Sequence, residues 1–105
     1  MTDAFATLEA TIRERLNADA GSSYVASLAA KGRAKIAQKV GEEAVETVIA
    51  AIADDRAALV SEATDLVFHL TVLLHHAGLT LDDVRGELSR REGVSGLVEK
   101  QSRFS

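Results

Sequence analysis

The 105-residue sequence has no cysteine, no proline and no tryptophan, and aromatic residues make up only 4% of it. Without cysteine, disulfides and thiolate metal sites are excluded, and a reducing cytoplasm is the expected setting. Without proline, nothing of that kind breaks a helix from inside. No run of 18 apolar residues occurs, and Met1 to Phe5 show neither a basic start nor a long apolar stretch. The expectation is a soluble chain with no membrane span and no targeting segment. A net charge of −4 argues against general nucleic-acid binding. There is no G-x-x-x-x-G-K-[ST] loop, which excludes a P-loop as a phosphate cradle, and no internal repeat.

What is present is helical periodicity. With 47% hydrophobic residues the chain is long enough for one small domain, expected over residues 1–92, with an irregular tail over 93–105. A first helix is predicted behind an Asp3 or Thr2 cap to about Asn17, with Phe5, Leu8, Ile12 and Leu16 on one face and a Glu9–Arg13 pair outside. Ser22 or Ser23 caps a short second helix from Tyr24 to about Ala30, ended by Gly32. A third runs from about Arg33 to Ala53, with Ile36, Val40, Ala44, Val48, Ala51 and Ile52 on its apolar side and Lys35, Lys39, Glu42, Glu43 and Glu46 opposite. A fourth spans Arg56 to His76 and stops at Gly78, and a fifth, behind the Thr80–Asp83 capping-box variant, spans Leu81 to about Arg91. The fold class is all-α, a helical bundle built on a long antiparallel hairpin. Because the fourth helix is apolar on nearly every side, a dimer is expected to complete its burial.

Carboxylates mark the hairpin. Glu43 and Glu46 are one turn apart on one face of the third helix, and Glu62 and Asp65 stand likewise on the fourth. If the hairpin folds at Asp54, Glu46 faces Glu62 about 12 Å from the turn and Glu43 faces Asp65 one turn further out, at roughly 1.5 Å of rise per residue. At about 6 Å and an effective dielectric of about 20, each pair repels by roughly 3 kcal/mol. Such a layer requires a cation, and all-oxygen donors suit Mg²⁺ or Mn²⁺ rather than zinc. The competing reading is a solvated face on which Lys39 neutralises Glu43 at i, i+4. Glu62 and Asp65 weigh against it, since they are the only acids between Leu59 and His76 and unpaired acids on a buried helix are costly.

Other polar residues carry two readings each. Lys31, Arg33, Lys35 and Lys39 lead into the acids, as a polyphosphate would need, although a charge run also reads as solvated surface. His69 and His76 share a stripe with Glu62 and Asp65, as partners of a metal site or as satisfied core or interface histidines. Gly41 inside the third helix costs about 1 kcal/mol against alanine, and either admits a close neighbour or is merely tolerated.

The run Lys31-Gly32, then Lys35-Ile36-Ala37-Gln38-Lys39-Val40-Gly41-Glu42-Glu43-Ala44-Val45-Glu46, followed by Ser61-Glu62-Ala63-Thr64-Asp65-Leu66, closely resembles the phosphoribosyl-ATP pyrophosphatases of histidine biosynthesis. These belong to the MazG-like all-α nucleotide pyrophosphatases, whose shared signature is E-x-x-E, a gap, then E-x-x-D. The resemblance extends from Ser23-Tyr24 through Leu81-Asp82-Asp83-Val84 to Ser95-Gly96 and Glu99-Lys100. It implies Glu43, Glu46, Glu62 and Asp65 as Mg²⁺ ligands, Glu42 as a supporting acid, and hydrolysis of phosphoribosyl-ATP to phosphoribosyl-AMP and pyrophosphate. In that reaction the metal polarises phosphate oxygens and activates a water, and Glu43 or Glu46 takes the water's proton. Lys31, Arg33, Lys35 and Lys39 are the candidate phosphate contacts. Arg90, Arg91, Lys100 and Arg103 either reach a partner subunit's site or are solvated ends. A housekeeping nucleoside triphosphate pyrophosphatase and a non-catalytic helical dimerisation module are the alternatives.

Overall fold

The computed structural model describes residues 3–93 together with 96, 100 and 101. Most of the segment expected to be an irregular tail, including Arg103, lies outside the described residues. Five helices follow in order, α1 (Ala4–Leu16), α2 (Tyr24–Lys31), α3 (Arg33–Ile52), α4 (Arg56–His76) and α5 (Leu81–Arg91), and no strand occurs among the described residues. The class is all-α, as the periodicity predicts.

Local chemistry sets the ends. Ser23 caps α2 by accepting from the Ala26 N–H at 3.0 Å, and Asp55 caps α4 by accepting from the Ala58 N–H at 3.0 Å. Thr80 and Asp83 form the reciprocal capping box that starts α5. Asp3 occupies the cap position of α1, but its carboxylate makes no cap bond and instead lies 3.8 Å from Arg85. Gly32 turns the chain between α2 and α3 at φ 97°, a value that a residue with a Cβ adopts only under strain.

α3 and α4 form the antiparallel hairpin, and α1 packs on α4 while α2 packs on both α1 and α3. The core is Ile12, Val25, Leu28, Ile36 and Val72, with Leu8, Leu16, Phe68 and Leu73 against it. It therefore sits at the open end of the hairpin, where α3 begins and α4 ends. Towards the turn the hairpin is bare: Val45, Val48, Ile49, Ile52 (82%) and Val60 (68%) are exposed. α4 has the length and composition of a membrane-crossing helix, yet it is the element against which α1 and α3 pack.

Two expectations are corrected here. The face of α3 that packs is centred on Ile36, Glu43 and Ala50, spaced at i, i+7 and i+14, while Val48, Ala51 and Ile52 point to solvent. Polarity alone sends glutamate outward, whereas here Glu43 lies on the packed face. Glu9 is likewise buried rather than paired outside with Arg13: it accepts from His75 Nε2 at 2.7 Å and from the Leu81 N–H at 2.9 Å. The Leu81 bond, reinforced by His75, holds its carboxyl below the usual range despite burial. One carboxylate thus ties α1 to the end of α4 and the start of α5.

Candidate active site

Reversal of the chain at Asp54, a non-glycine residue at φ 55°, sets the register that the acids depend on. Carboxylate oxygens of Glu43, Glu62 and Asp65 come within 4.8 Å of one another. Glu46 is not one of these three and is exposed, but it lies near enough to raise the pKa of both Glu43 and Glu62. Three of the four acids expected from the sequence converge between the packed core and the bare end of the hairpin, with Glu46 beside them.

The layer is electrostatically frustrated. Burial, followed by contact with Glu46 and the charges of Glu46 and Asp65, raises the pKa of Glu43. Glu62 is pushed up to about 7, first by its contact with Glu46 and then by burial and the remaining acids. Oε2 of Glu43 and Oε2 of Glu62 are buried without a hydrogen-bond partner. Among the described residues no lysine bonds to any of the four: Lys39 pairs instead with Glu42 at 3.2 Å, and Gln38 donates to Glu42 at 3.1 Å. The competing arrangement, a solvated face on which Lys39 neutralises Glu43, is therefore not the one that forms. Converging carboxylate oxygens, two of them buried and unpartnered, are the donor set of a hard divalent cation, so the residues present fit such an ion.

The basic residues divide. Lys31 closes α2, and Lys35 and Lys39 occupy the first two turns of α3, leading towards Glu43. Arg33 turns to the far end of α4, where Nε donates to His76 Nδ1 and Nη2 donates to the His76 carbonyl, both at 3.2 Å. It caps the C-terminus of α4, about 16 Å along that helix from Asp65 at roughly 1.5 Å per residue. Arg90 and Arg91 pair with Glu87.

His69 is buried (6%), one turn beyond Asp65, and both ring nitrogens are engaged. Nδ1 donates to the Asp65 carbonyl at 2.8 Å, and Nε2 lies 2.8 Å from the Tyr24 hydroxyl. It is a satisfied histidine and also a neighbour of the acids. Its link to Tyr24 spans 45 positions in sequence, too far for any local spacing to announce it.

Space for a ligand lies beside the acids. A cleft of about 260 Å³ is lined by Glu46 and Glu62 with Ile49, Ala50, Ala53, Asp55 and Ala58. A larger groove of about 450 Å³ between α1 and α4, lined by residues such as Phe5, Leu8, Val60 and Phe68, contains no ionisable side chain and is not a site for this chemistry.

Residues 5–92 match the family described as phosphoribosyl-ATP pyrophosphohydrolase. The chain belongs to that family. It is 60% identical over 104 residues to a phosphoribosyl-ATP pyrophosphatase of Sphingopyxis alaskensis, covering 98% of this chain and 95% of the relative. A protein of the same name from Rhizorhabdus wittichii is 60% identical over 98% of this chain and 97% of its own length. A third, from Novosphingobium aromaticivorans, is 62% identical over 93% and 92%. The two halves of the signature seen in the sequence, Glu43-x-x-Glu46 and Glu62-x-x-Asp65, thus lie on opposite arms of one hairpin in this member of the phosphoribosyl-ATP pyrophosphohydrolase family. Neither half makes the layer alone.

Proposed function

We propose that this chain hydrolyses phosphoribosyl-ATP to phosphoribosyl-AMP and pyrophosphate, a step of histidine biosynthesis, in the cytoplasm. The observation that carries the reading is the acid cluster with its two buried, unpartnered oxygens, in a chain of this family. Glu43, Glu46, Glu62 and Asp65 would hold Mg²⁺, with Mn²⁺ able to substitute. When bound, the ion supplies charge stabilisation for the phosphate oxygens and acidifies a water. Water attacks the α,β-phosphoanhydride, its bridging P–O bond breaks, and phosphoribosyl-AMP and pyrophosphate separate. Glu43 or Glu46 receives the water's proton.

Lys31, Lys35 and Lys39 contact the phosphates; Arg33 would first have to leave His76. Glu42 supports the site by orienting Lys39, whose pKa is raised by that bond. The active form is a homodimer, in which a second copy covers the bare apolar end of the hairpin. Full burial of a valine or isoleucine side chain is worth about 1.5–3 kcal/mol, and five such residues are uncovered there.

The test is pyrophosphate release from phosphoribosyl-ATP against ATP and dUTP. Preference for phosphoribosyl-ATP supports the reading. Preference for another triphosphate assigns the site to the housekeeping class, and no turnover of any substrate leaves a helical dimerisation module.

A further inference from the structure

Tyr24 opens α2 and is half exposed, while His69 lies buried in the middle of α4. A backbone carbonyl only accepts, so the 2.8 Å contact between His69 Nδ1 and the Asp65 carbonyl requires the proton on Nδ1. In the neutral ring Nε2 is then an acceptor, and the Tyr24 hydroxyl at 2.8 Å is its donor. Phe68 clamps the pair: its ring stacks on Tyr24 at 6.2 Å and meets His69 edge-on at 5.2 Å. The Tyr24 hydroxyl to His69 bond is the polar tie between α2 and the turn of α4 that carries Asp65. Of the three acids whose oxygens converge, Glu43 is buried, Glu62 half-buried and Asp65 exposed, so packing alone holds Asp65 least among them.

We propose that Tyr24 and His69 are positioning residues, which hold the Asp65 turn so that its carboxylate meets those of Glu43 and Glu62 around one cation. The chain of bonds runs from the Tyr24 O–H to His69 Nε2 and from His69 Nδ1–H to the Asp65 carbonyl. Groups that fix a ligating side chain typically change affinity for the ion by 10- to 100-fold; here the constraint acts through the backbone of Asp65. The proposal rests on the reading of the four acids as a cation site, and its test separates the two.

Mn²⁺ binding to the full chain, followed by electron paramagnetic resonance without substrate, is measured for wild type, Tyr24→Phe, His69→Asn and the double variant, alongside thermal melting. Asparagine keeps a donor near the Nδ1 position but cannot accept from Tyr24, so both single variants break the same bond. Each is expected to weaken Mn²⁺ binding on the order of tenfold, with a melting temperature near that of wild type. The double variant is expected to be no weaker than either single one. Tyr24 is half exposed, so Tyr24→Phe remains folded even if the His69 variants do not. Unchanged Mn²⁺ binding in Tyr24→Phe overturns the proposal, whether or not the melting temperature falls. If wild type itself binds no Mn²⁺, the cation-site reading fails and this inference fails with it.

Discussion

Glu62 stands across the hairpin from Glu46, and the approach of the two carboxylates, more than burial, pushes Glu62 up to about 7. In the metal-free protein this contact opposes folding. Below the ordinary glutamate range both folded and unfolded chains hold the proton, and the contact costs nothing. As pH rises from about 4.5 towards 7 the unfolded chain releases its proton first, so stability falls across that window and then levels off. Glu43, also raised, acts in the same direction. The melting temperature of metal-free wild type should therefore drop between pH 5 and pH 7.5, and that of Glu62→Gln should drop less. Saturating Mg²⁺ should remove most of the difference.

The same repulsion predicts that Glu62→Gln melts higher than wild type without metal, although it removes a residue placed at the centre of the site. Activity should move the opposite way. A gain in stability with a loss of function marks a site whose strain serves the ligand. Equal or lower melting would show that the four acids are not frustrated.

Glu9 gives a purely structural prediction. Glu9→Ala strands the His75 imidazole and the Leu81 N–H at the junction of α1, α4 and α5, and each unsatisfied buried group costs about 1–3 kcal/mol. Urea unfolding should report a loss within that range or above it. Amide exchange should quicken first in α5, none of whose residues is buried.

Helix boundaries and hairpin register were readable from sequence, because caps, glycines and the Asp54 turn act locally. The pairing of Glu43 with Asp65 and of Glu46 with Glu62 followed from counting outward from that turn. What could not be read are the links across 43 to 66 positions: Arg33 with His76, Tyr24 with His69, Glu9 with His75. Periodicity sorts residues into inside and outside by polarity, so it sent Glu9 and Glu43 outward. Glu9 is buried because two donors satisfy it, whereas Glu43 is buried among other acids with its Oε2 unpartnered.

Apart from its chain neighbours and the backbone of its own helix, no atom lies within 4 Å of the place a Cβ on Gly41 would occupy. Within one chain it is a tolerated helical glycine rather than a close-approach point. Gly41→Ala should stabilise the fold by about 1 kcal/mol, measured by urea unfolding. Lost activity in a stabilised variant would mean that a substrate or second subunit comes close there.

The bare end of the hairpin predicts a change of mass. Wild type should sediment at twice the 11.2 kDa of the chain, and Ile49→Glu with Ile52→Glu should sediment at the monomer mass while remaining helical. Both side chains are already exposed in the single chain, so folding has little to lose. A wild type at 11.2 kDa would contradict the dimer.

Cation-dependent catalysis by the acids of α3 and α4 acting as one unit is proposed. It is tested most directly by pyrophosphate release from phosphoribosyl-ATP, with and without Mg²⁺, in wild type and Glu46→Gln. Turnover by wild type only when Mg²⁺ is present, falling about 10²- to 10⁴-fold in Glu46→Gln if this residue accepts the water's proton, or with a raised Mg²⁺ requirement if it only binds the ion, is the predicted result. Turnover that persists in chelator, or a Glu46→Gln enzyme equal to wild type at every Mg²⁺ concentration, would contradict it.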